Sequence, residues 1–466
     1  MENVNVELAL NWLKNNQKII LNELETLVRI PSVSFPNFDE RPVLDCANAT
    51  LELLKKCGLE NANLLEVEGA YPYVYADWLH AGPETPTILL YAHYDVQPPL
   101  RAEKWLSPAF EPTIRDGRMY ARGAADDKSG ICIHYASLAA FLQTNQKLPV
   151  NIKVLIEGEE ESGSEHLGEF LDIHGDKLQS DVMVLMDLAN WDTGFPSLTT
   201  SLRGIVVVEL EVKAMDHAIH SGMWGGPVPD PVQGLAKIIA GLTKSDGMID
   251  IPELYDMILE PTAQERKSFE ALSMSQMILN SQLQLESGVS GFVPENKILE
   301  SLWRLPSLSV NAIEAGNRKT AGNVLLESTW ARIGLRLAPG MDSEKSKDLF
   351  IEKIRSLVPW GLTLNVSVKD GTDPWNTSPD HPYFKVAQES LEKGYGEKPC
   401  FMGCGGTIPF VAPLSEKLGG IPALLVGVED PYCNAHGENE SLDLGDFFKA
   451  IQSQIHFFQM MSDFVL

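Results

Sequence analysis

Four short, nearly continuous apolar runs constrain this chain most: Thr87 to Ala92, Ile152 to Ile156, Val182 to Met186 and, far along the sequence, Ala423 to Val428. Apolar residues without alternation mark strands covered on both faces, and the helical stretches between them point to a mostly parallel sheet with helices on both sides. Each run passes into polar residues at its C-terminal end: His93 and Asp95, then Glu157 to Glu161, then Asp187, and last the segment leading to His436. Open α/β sheets place their sites at that edge. Ahead of the first run, residues from about Val6 to Ile30 carry apolar positions three and four apart (Leu8, Trp12, Ile19, Leu24, Leu27), which predicts an amphipathic helix lying on a core.

Between Arg203 and about Asp373 the pattern changes to alternation, as in Val206, Val208, Leu210 and Val212, then Ile333, Leu335 and Leu337, then Leu362, Leu364, Val366 and Val368. Half-buried antiparallel strands are implied. With a less regular strand near Ser307 to Ile313 and helices near Asp230 to Leu242 and Ser343 to Leu357, the order becomes strand, helix, strand, strand, helix, strand. We therefore expect an α/β protein: a catalytic domain of residues 1–203 and 379–466, and an inserted ferredoxin-like α+β domain at 204–378. Ile251 to Leu305 reads as an extra helical insertion inside the latter.

Charge narrows the function. Thirty-seven basic against 64 acidic side chains give a net charge of -27, which disfavours nucleic acid or an anionic membrane as the main partner and suits cations. The start, MENVNVELALNWLKNN, lacks the basic and apolar regions of an export signal, and no run of about 18 apolar residues follows, so a cytoplasmic protein is expected. Cys46, Cys57, Cys132, Cys400, Cys404 and Cys433 form no CxxC pair, which points away from a disulfide framework and from thiolate-bound zinc.

The chemistry-bearing residues lie at the strand ends. In YAHYDVQ, His93 and Asp95 are two apart, so the carboxylate could orient the imidazole, although a histidine there also serves purely structural ends. RGAADDKSG holds Asp126 and Asp127 just before an apolar stretch, Ile131 to Phe141, that reads as a helix. A helix cap needs one carboxylate, and an adjacent pair is costly unless a cation is near. IEGEEESGS places Glu157, Glu159, Glu160 and Glu161 after a buried strand, either as a solvated acidic face or around metal. Asp187 closes another buried strand, with Asp192 a nearby competitor, and His436 sits in NAHGENES. Imidazoles and carboxylates without thiolates, gathered at the ends of parallel strands, describe a two-metal hydrolase.

At YAHYDVQ, RGAADDKSG, EGEEESGS, MDLANWDTGFPSLTTSLRG, HSGMWGGPVPD, GLRLAPGM, GGTIP and AHGENE, in that order, the chain resembles the dinuclear zinc peptidase and deacylase family of carnosinase, cytosolic nonspecific dipeptidase, glutamate carboxypeptidase, aminoacylase and succinyl-diaminopimelate desuccinylase. The likeness runs through almost the whole chain and is greatest to the dipeptidase branch. It implies two zinc ions per chain, with manganese or cobalt as possible substitutes. His93 and Asp187 would bind one, Glu161 and His436 the other, and Asp126 would bridge both. Asp95 would support His93, and the peptide between Asp126 and Asp127 would be cis. Glu160 would be the general acid/base if the motif is anchored on ESGS, with Glu159 the alternative at a shift of one.

From the inserted domain, a lid in that family, His220 would contribute to the oxyanion, in several relatives from the other subunit of a homodimer; its alternative role is to cap the helix near Asp230. Arg336, Thr407 and the backbone of Gly405 and Gly406 would hold the substrate's C-terminal carboxylate, and Asn323 would lie on the oxyanion side. Relatives often carry Arg-Glu where this chain has Gly403 and Cys404, and Ile-Pro after the asparagine where it has Val324, Leu325 and Leu326. The expected function is metal-dependent hydrolysis of dipeptides. An N-acyl amino acid deacylase or small-peptide carboxypeptidase keeps the mechanism, and a non-catalytic zinc-binding protein on the same fold is the alternative of a different class.

Overall fold

The continuous apolar runs form the strands Thr87–His93, Asn151–Glu157, Val182–Leu185 and Ala423–Leu425 in the computed structural model, which describes residues 4–463 except 273, 284 and 320. They lie parallel, in the order Asn151–Glu157, Thr87–His93, Val182–Leu185, Ala423–Leu425. The register pairs His93 with Glu157 and Tyr91 with Leu185, so the C-terminal ends finish at one edge. Antiparallel strands flank this parallel centre: Tyr73–Trp78 and Glu60–Leu65 on one side, Ser197–Leu202 on the other.

Alternate residues of each central strand serve different faces. Ile88, Leu90, Ala92, Val154, Ile156 and Val184 join a core with the helices Val6–Val28, Lys128–Asn145 and Leu444–Ser462. On the opposite face Tyr73 stacks on Phe170 of the helix Leu167–His174 at 3.7 Å between ring centroids, and Tyr91 stacks on Phe410, which precedes the helix Val411–Lys417, at 3.9 Å. The helix Lys128–Asn145 is buried from Lys128 through Phe141, because it packs against the Thr87–His93 strand and against both long terminal helices. Its buried Lys128 donates from Nζ to the carbonyls of Leu27 and Ile30, satisfying groups left open at the end of the first helix.

The alternating segments form a second sheet. Its strands Gly204–Lys213, Ser307–Glu314, Ser328–Leu337 and Thr363–Thr372 are all antiparallel, with Ser307–Glu314 at one edge, then Ser328–Leu337, Gly204–Lys213 and Thr363–Thr372. The helices Pro231–Gly241 and Ser343–Ser356 cover one face, burying Val206, Val208, Leu210, Ile333 and Leu335. The chain order βαββαβ with this strand order is the ferredoxin-like arrangement. Four short helices, Pro252–Tyr255, Ala263–Leu272, Gln276–Leu283 and Ile298–Arg304, fill the insertion.

The chain divides into two compact units, one made of residues up to Thr200, Thr377–Met402 and Ile408 onward, the other of Ser201–Asn376 with Gly403–Thr407. The units change over at 200/201 and 376/377 rather than at 203/204 and 378/379, and Gly403–Thr407 join the second unit for a local reason. Thr407 donates from its hydroxyl to the Arg203 carbonyl, the Arg203 N–H donates to Gly406 O at 3.1 Å, and a Cβ at Gly403 would lie 2.6 Å from Trp303 Cβ.

Candidate metal centre

The site is built where the parallel strands end. His93 is the last residue of its strand and is fully buried. Its Nδ1 lies 3.1 Å from the Asp95 carbonyl and 3.4 Å from Asp95 Oδ1, so Nδ1 carries the proton and the ring is oriented by Asp95. Its Nε2 faces Asp126 Oδ1 at 3.0 Å, Asp187 Oδ1 at 3.5 Å and Glu160 Oε2 at 4.0 Å, yet makes no hydrogen bond of good geometry. The other oxygen of Asp126, Oδ2, is 2.9 Å from Nε2 of His436, which in turn is 3.1 Å from Glu161 Oε2.

Two sets of three ligand atoms result, His93 with Asp126 and Asp187, and Asp126 with Glu161 and His436, each set lying within 4.8 Å. Asp126 belongs to both. His436 is 58% exposed while Glu161 is 2% and Asp126 7% exposed, so the second set opens to solvent on its imidazole side.

Local structure explains how neighbouring acids separate their tasks. Asp126 and Asp127 are joined by a cis peptide. Asp127 caps the helix Lys128–Asn145 by accepting from Gly130 N at 3.1 Å and also accepts from His93 N at 3.3 Å. Asp126 is left to the histidines. In the glutamate run, Glu159 accepts from Tyr71 N and His166 Nδ1, both at 2.9 Å, which commits it away from His93, whereas Glu160 reaches His93. Glu161 is held by Gln97, whose N and Nε2 donate at 3.1 and 2.8 Å. Asp192 accepts from Thr193 N at 2.8 Å and belongs to neither ligand set.

Two buried acids support this arrangement, and one of them, Glu440, does not stand out in the sequence. Glu440 accepts from Gly123 N, Ala125 N and Asp126 N at 3.0, 2.9 and 3.2 Å and pairs with Arg122 at 2.6 Å, fixing the loop that carries Asp126. Asp95 Oδ2 accepts from Ser34 Oγ at 2.7 Å and from Glu161 N at 3.1 Å, tying the two ligand segments together.

The electrostatics call for positive charge. Burial and the Asp187 carboxylate push Glu160 well above the usual carboxylate range, and burial with the Asp126 charge raises Glu161 to about 7. Burial opposes ionisation of Asp126 too, but the adjoining imidazoles of His436 and His93 hold it below its ordinary value. His436, despite the cost of desolvation, is raised to about 11 by its contacts with Asp126 and Glu161. Carboxylates this crowded ionise together only beside cations. The buried His93 Nε2 without a good hydrogen bond, aimed at three carboxylates, and the purely nitrogen and oxygen donor set fit two divalent ions of the zinc or manganese kind.

The remaining residues singled out from the sequence lie in the second unit. His220 pairs with Val324 across a short two-stranded ladder, which brings Asn323 beside it: Ser221 N donates to Asn323 O at 3.0 Å. His220 Nδ1 accepts from Gly222 N at 3.0 Å and so caps the short helix Ser221–Trp224 rather than the helix after Asp230, which Asp230 caps itself through Val232 N. Arg336 donates to Thr407 Oγ1 at 2.7 Å. Arg203, not anticipated from the sequence, lies close enough that burial and the Arg336 charge lower it to about 10, while its head group donates to Gly405 O and Ser307 Oγ, each at 2.9 Å. Two guanidinium groups side by side favour an anion. Gly406 N donates to Cys404 Sγ at 3.2 Å.

Known proteins share this architecture. The cysteinylglycine-S-conjugate dipeptidase of Corynebacterium striatum is 32% identical over 365 residues, 77% of this chain and 78% of that one. The beta-Ala-His dipeptidase of Homo sapiens is 29% identical over 397 residues, 84% of this chain and 78% of that one. The solved structure of the dipeptidase Dug1p from Saccharomyces cerevisiae superposes with a TM-score of 0.88 at 25% identity, covering 99% of both chains. With residues 89–459 matching the model of Peptidase family M20/M25/M40, the chain belongs to that family.

Proposed function

We propose that the protein is a metal-dependent dipeptidase, with Glu160 as its general acid/base. The observation that carries this reading is Asp126 shared between two ligand sets, with Glu160 beside them at 4.0 Å from His93 Nε2. Dipeptidase names among the similar proteins support the substrate class. His93, Asp126 and Asp187 would hold one zinc ion, and Asp126, Glu161 and His436 a second, with manganese or cobalt able to substitute. When bound, the pair acidifies a water molecule and polarises the scissile carbonyl. Glu160 takes the water's proton on its carboxylate and delivers it to the departing amine, and burial, which raises this carboxyl, favours its holding the proton in between. Asp95 keeps the His93 ring oriented and its Nδ1 protonated.

The second unit is assigned the lid's part. His220, whose Nδ1 is occupied by Gly222 N, would donate from Nε2 to the oxyanion, with Asn323 beside it. Arg336, held by Thr407, would pair with the substrate's carboxylate, with Gly406 alongside. Exposed Met223, Trp224 and Val324 next to His220 support a homodimer formed through this unit. Six free thiols support a cytoplasmic setting.

A second reading, N-acyl amino acid deacylase, is favoured by one observation: Gly403 and Cys404 stand where relatives often carry Arg-Glu, and a Cβ at Gly403 would collide with Trp303, so no larger residue fits there. Turnover of alanylglycine against N-acetylalanine by the zinc-loaded protein decides between them. Faster hydrolysis of the dipeptide is expected; hydrolysis of the acylated amino acid alone would replace the dipeptidase reading.

A further inference from the structure

The two histidines of the metal centre are secured differently. His93 is buried, and its Nδ1 is fixed by Asp95 at 3.1 Å. His436 is 58% exposed and meets Asp126 and Glu161 through Nε2, while among the described residues its Nδ1 makes no hydrogen bond. A ligand imidazole is ordinarily oriented through its second nitrogen. The ring of His436 lacks that support, so its aim depends on the backbone that carries it.

That backbone is held in an uncommon shape. His436 has φ 62°, and Asn434 and Asn439 in the same loop have φ 53° and 62°. Residues with side chains adopt this left-handed conformation sparsely, and it persists where the surroundings impose it. On the inner side Asn434 Nδ2 donates to Glu438 O at 2.6 Å and Arg122 to Gly437 O at 3.0 Å. On the outer side the loop is gripped by the segment from Pro98 to Leu106, which follows shortly after His93. Arg101 donates from Nε and Nη2 to the two oxygens of Glu438 at 2.6 and 3.1 Å. Asn439 accepts at Oδ1 from Leu106 N at 2.8 Å and donates from Nδ2 to Lys104 O at 2.9 Å. Bonds from Trp105 Nε1 to Pro99 O at 2.7 Å and from Lys104 N to Arg101 O at 2.9 Å close this segment on itself.

We propose that Arg101 and Asn439 are positioning residues for the His436 ligand: by clamping its loop they set the affinity for the ion of Asp126, Glu161 and His436, and leave the ion of His93 and Asp187 unaffected. The assignment rests on the two-ion reading given under the proposed function. An exposed ion pair such as Arg101 with Glu438 contributes little alone, but it acts here together with the two bonds of Asn439. Groups that orient a metal ligand change metal affinity by about tenfold or more.

The test compares the full-length protein with its Arg101→Gln/Asn439→Gly variant, in which glycine keeps the left-handed backbone available while removing the side-chain bonds. Each is equilibrated against graded zinc buffers, and zinc per chain is read by elemental analysis. One of the two ions should bind about tenfold more weakly in the variant, and the other should stay within about twofold. In a His436→Ala background, where the clamped ligand is already gone, the same two substitutions should shift the remaining zinc by less than about twofold. An equal shift of both ions, no shift, or an undiminished shift without His436 would overturn the assignment. Wild-type protein that holds fewer than two ions would overturn the two-ion reading itself, whereas two ions in the wild type without a selective shift would overturn the clamp alone.

Discussion

Asp126 Oδ1 stands 3.0 Å from Nε2 of His93, a ring whose other nitrogen is committed to the Asp95 carbonyl at 3.1 Å. Despite its burial, the carboxylates around it raise the pKa of this ring, so it either holds a second proton against them or turns the Nε2 lone pair to a cation that takes that proton's place. Because the second oxygen of Asp126 meets His436 at 2.9 Å, one carboxylate links both ligand sets.

Removing that link should therefore cost both ions. Asp126→Asn is expected to lower affinity for each by at least about 100-fold, so that dialysed protein retains little of either, whereas Asp187→Asn should weaken chiefly the His93 set. Elemental analysis of the dialysed variants checks this. Full metal content in Asp126→Asn would show that the carboxylate does not bridge.

Glu160 acts on protons rather than on metal. Glu160→Gln keeps the shape and removes the base, so kcat should fall about 1,000-fold with metal content unchanged. Undiminished turnover would pass the role to another group, and Glu159, tied to Tyr71 N and His166, is poorly placed to take it.

Recognition of the carboxylate end is a question for KM. Arg336→Gln should raise KM for alanylglycine about 100-fold while leaving an amidated dipeptide nearly unaffected. Steady-state kinetics on both substrates decides, and an equal change for the two would assign Arg336 a structural task.

A pH effect on stability is expected from His134. It is fully buried, its Nε2 donates to Tyr91 O at 3.0 Å and its Nδ1 accepts from Gln454 Nε2 at 2.9 Å, so the native ring is neutral. Desolvation lowers its pKa from 6.5 to about 4. The unfolded chain then binds a proton that the native chain refuses, and stability present above pH 6.5 is lost as pH falls towards 4, by roughly 3 kcal/mol in total. Urea denaturation of the metal-free protein and of His134→Asn, at pH 7.5 and 5, should show the smaller drop in the variant; identical drops would contradict the assignment.

The central sheet is legible in the sequence because its strands are apolar on both faces, and the polar residues after each run fall at one edge for the same reason. His93 and Asp187 follow from that logic alone. The division of labour in Asp126–Asp127 does not, since adjacent acids look alike until Gly130 N and the two histidines claim different ones. The flanking strands Glu60–Leu65 and Tyr73–Trp78 are hidden because the first is largely exposed and lacks an apolar run, and their pairing depends on the neighbouring Asn151–Glu157 strand. Glu440 and Arg203 escape notice because each is defined by long-range partners: the Gly123–Asp126 loop, and Gly405 with Ser307. The cap at His220 is local, but Ser221–Trp224 is a single turn too short to leave a periodic signal.

The most direct measurement is metal content per chain by elemental analysis, paired with alanylglycine hydrolysis before chelation, after it, and after zinc or manganese is restored. The account predicts two ions per chain, activity abolished by the chelator, and recovery on adding metal back. Dipeptide hydrolysis that persists in verified metal-free protein would contradict it.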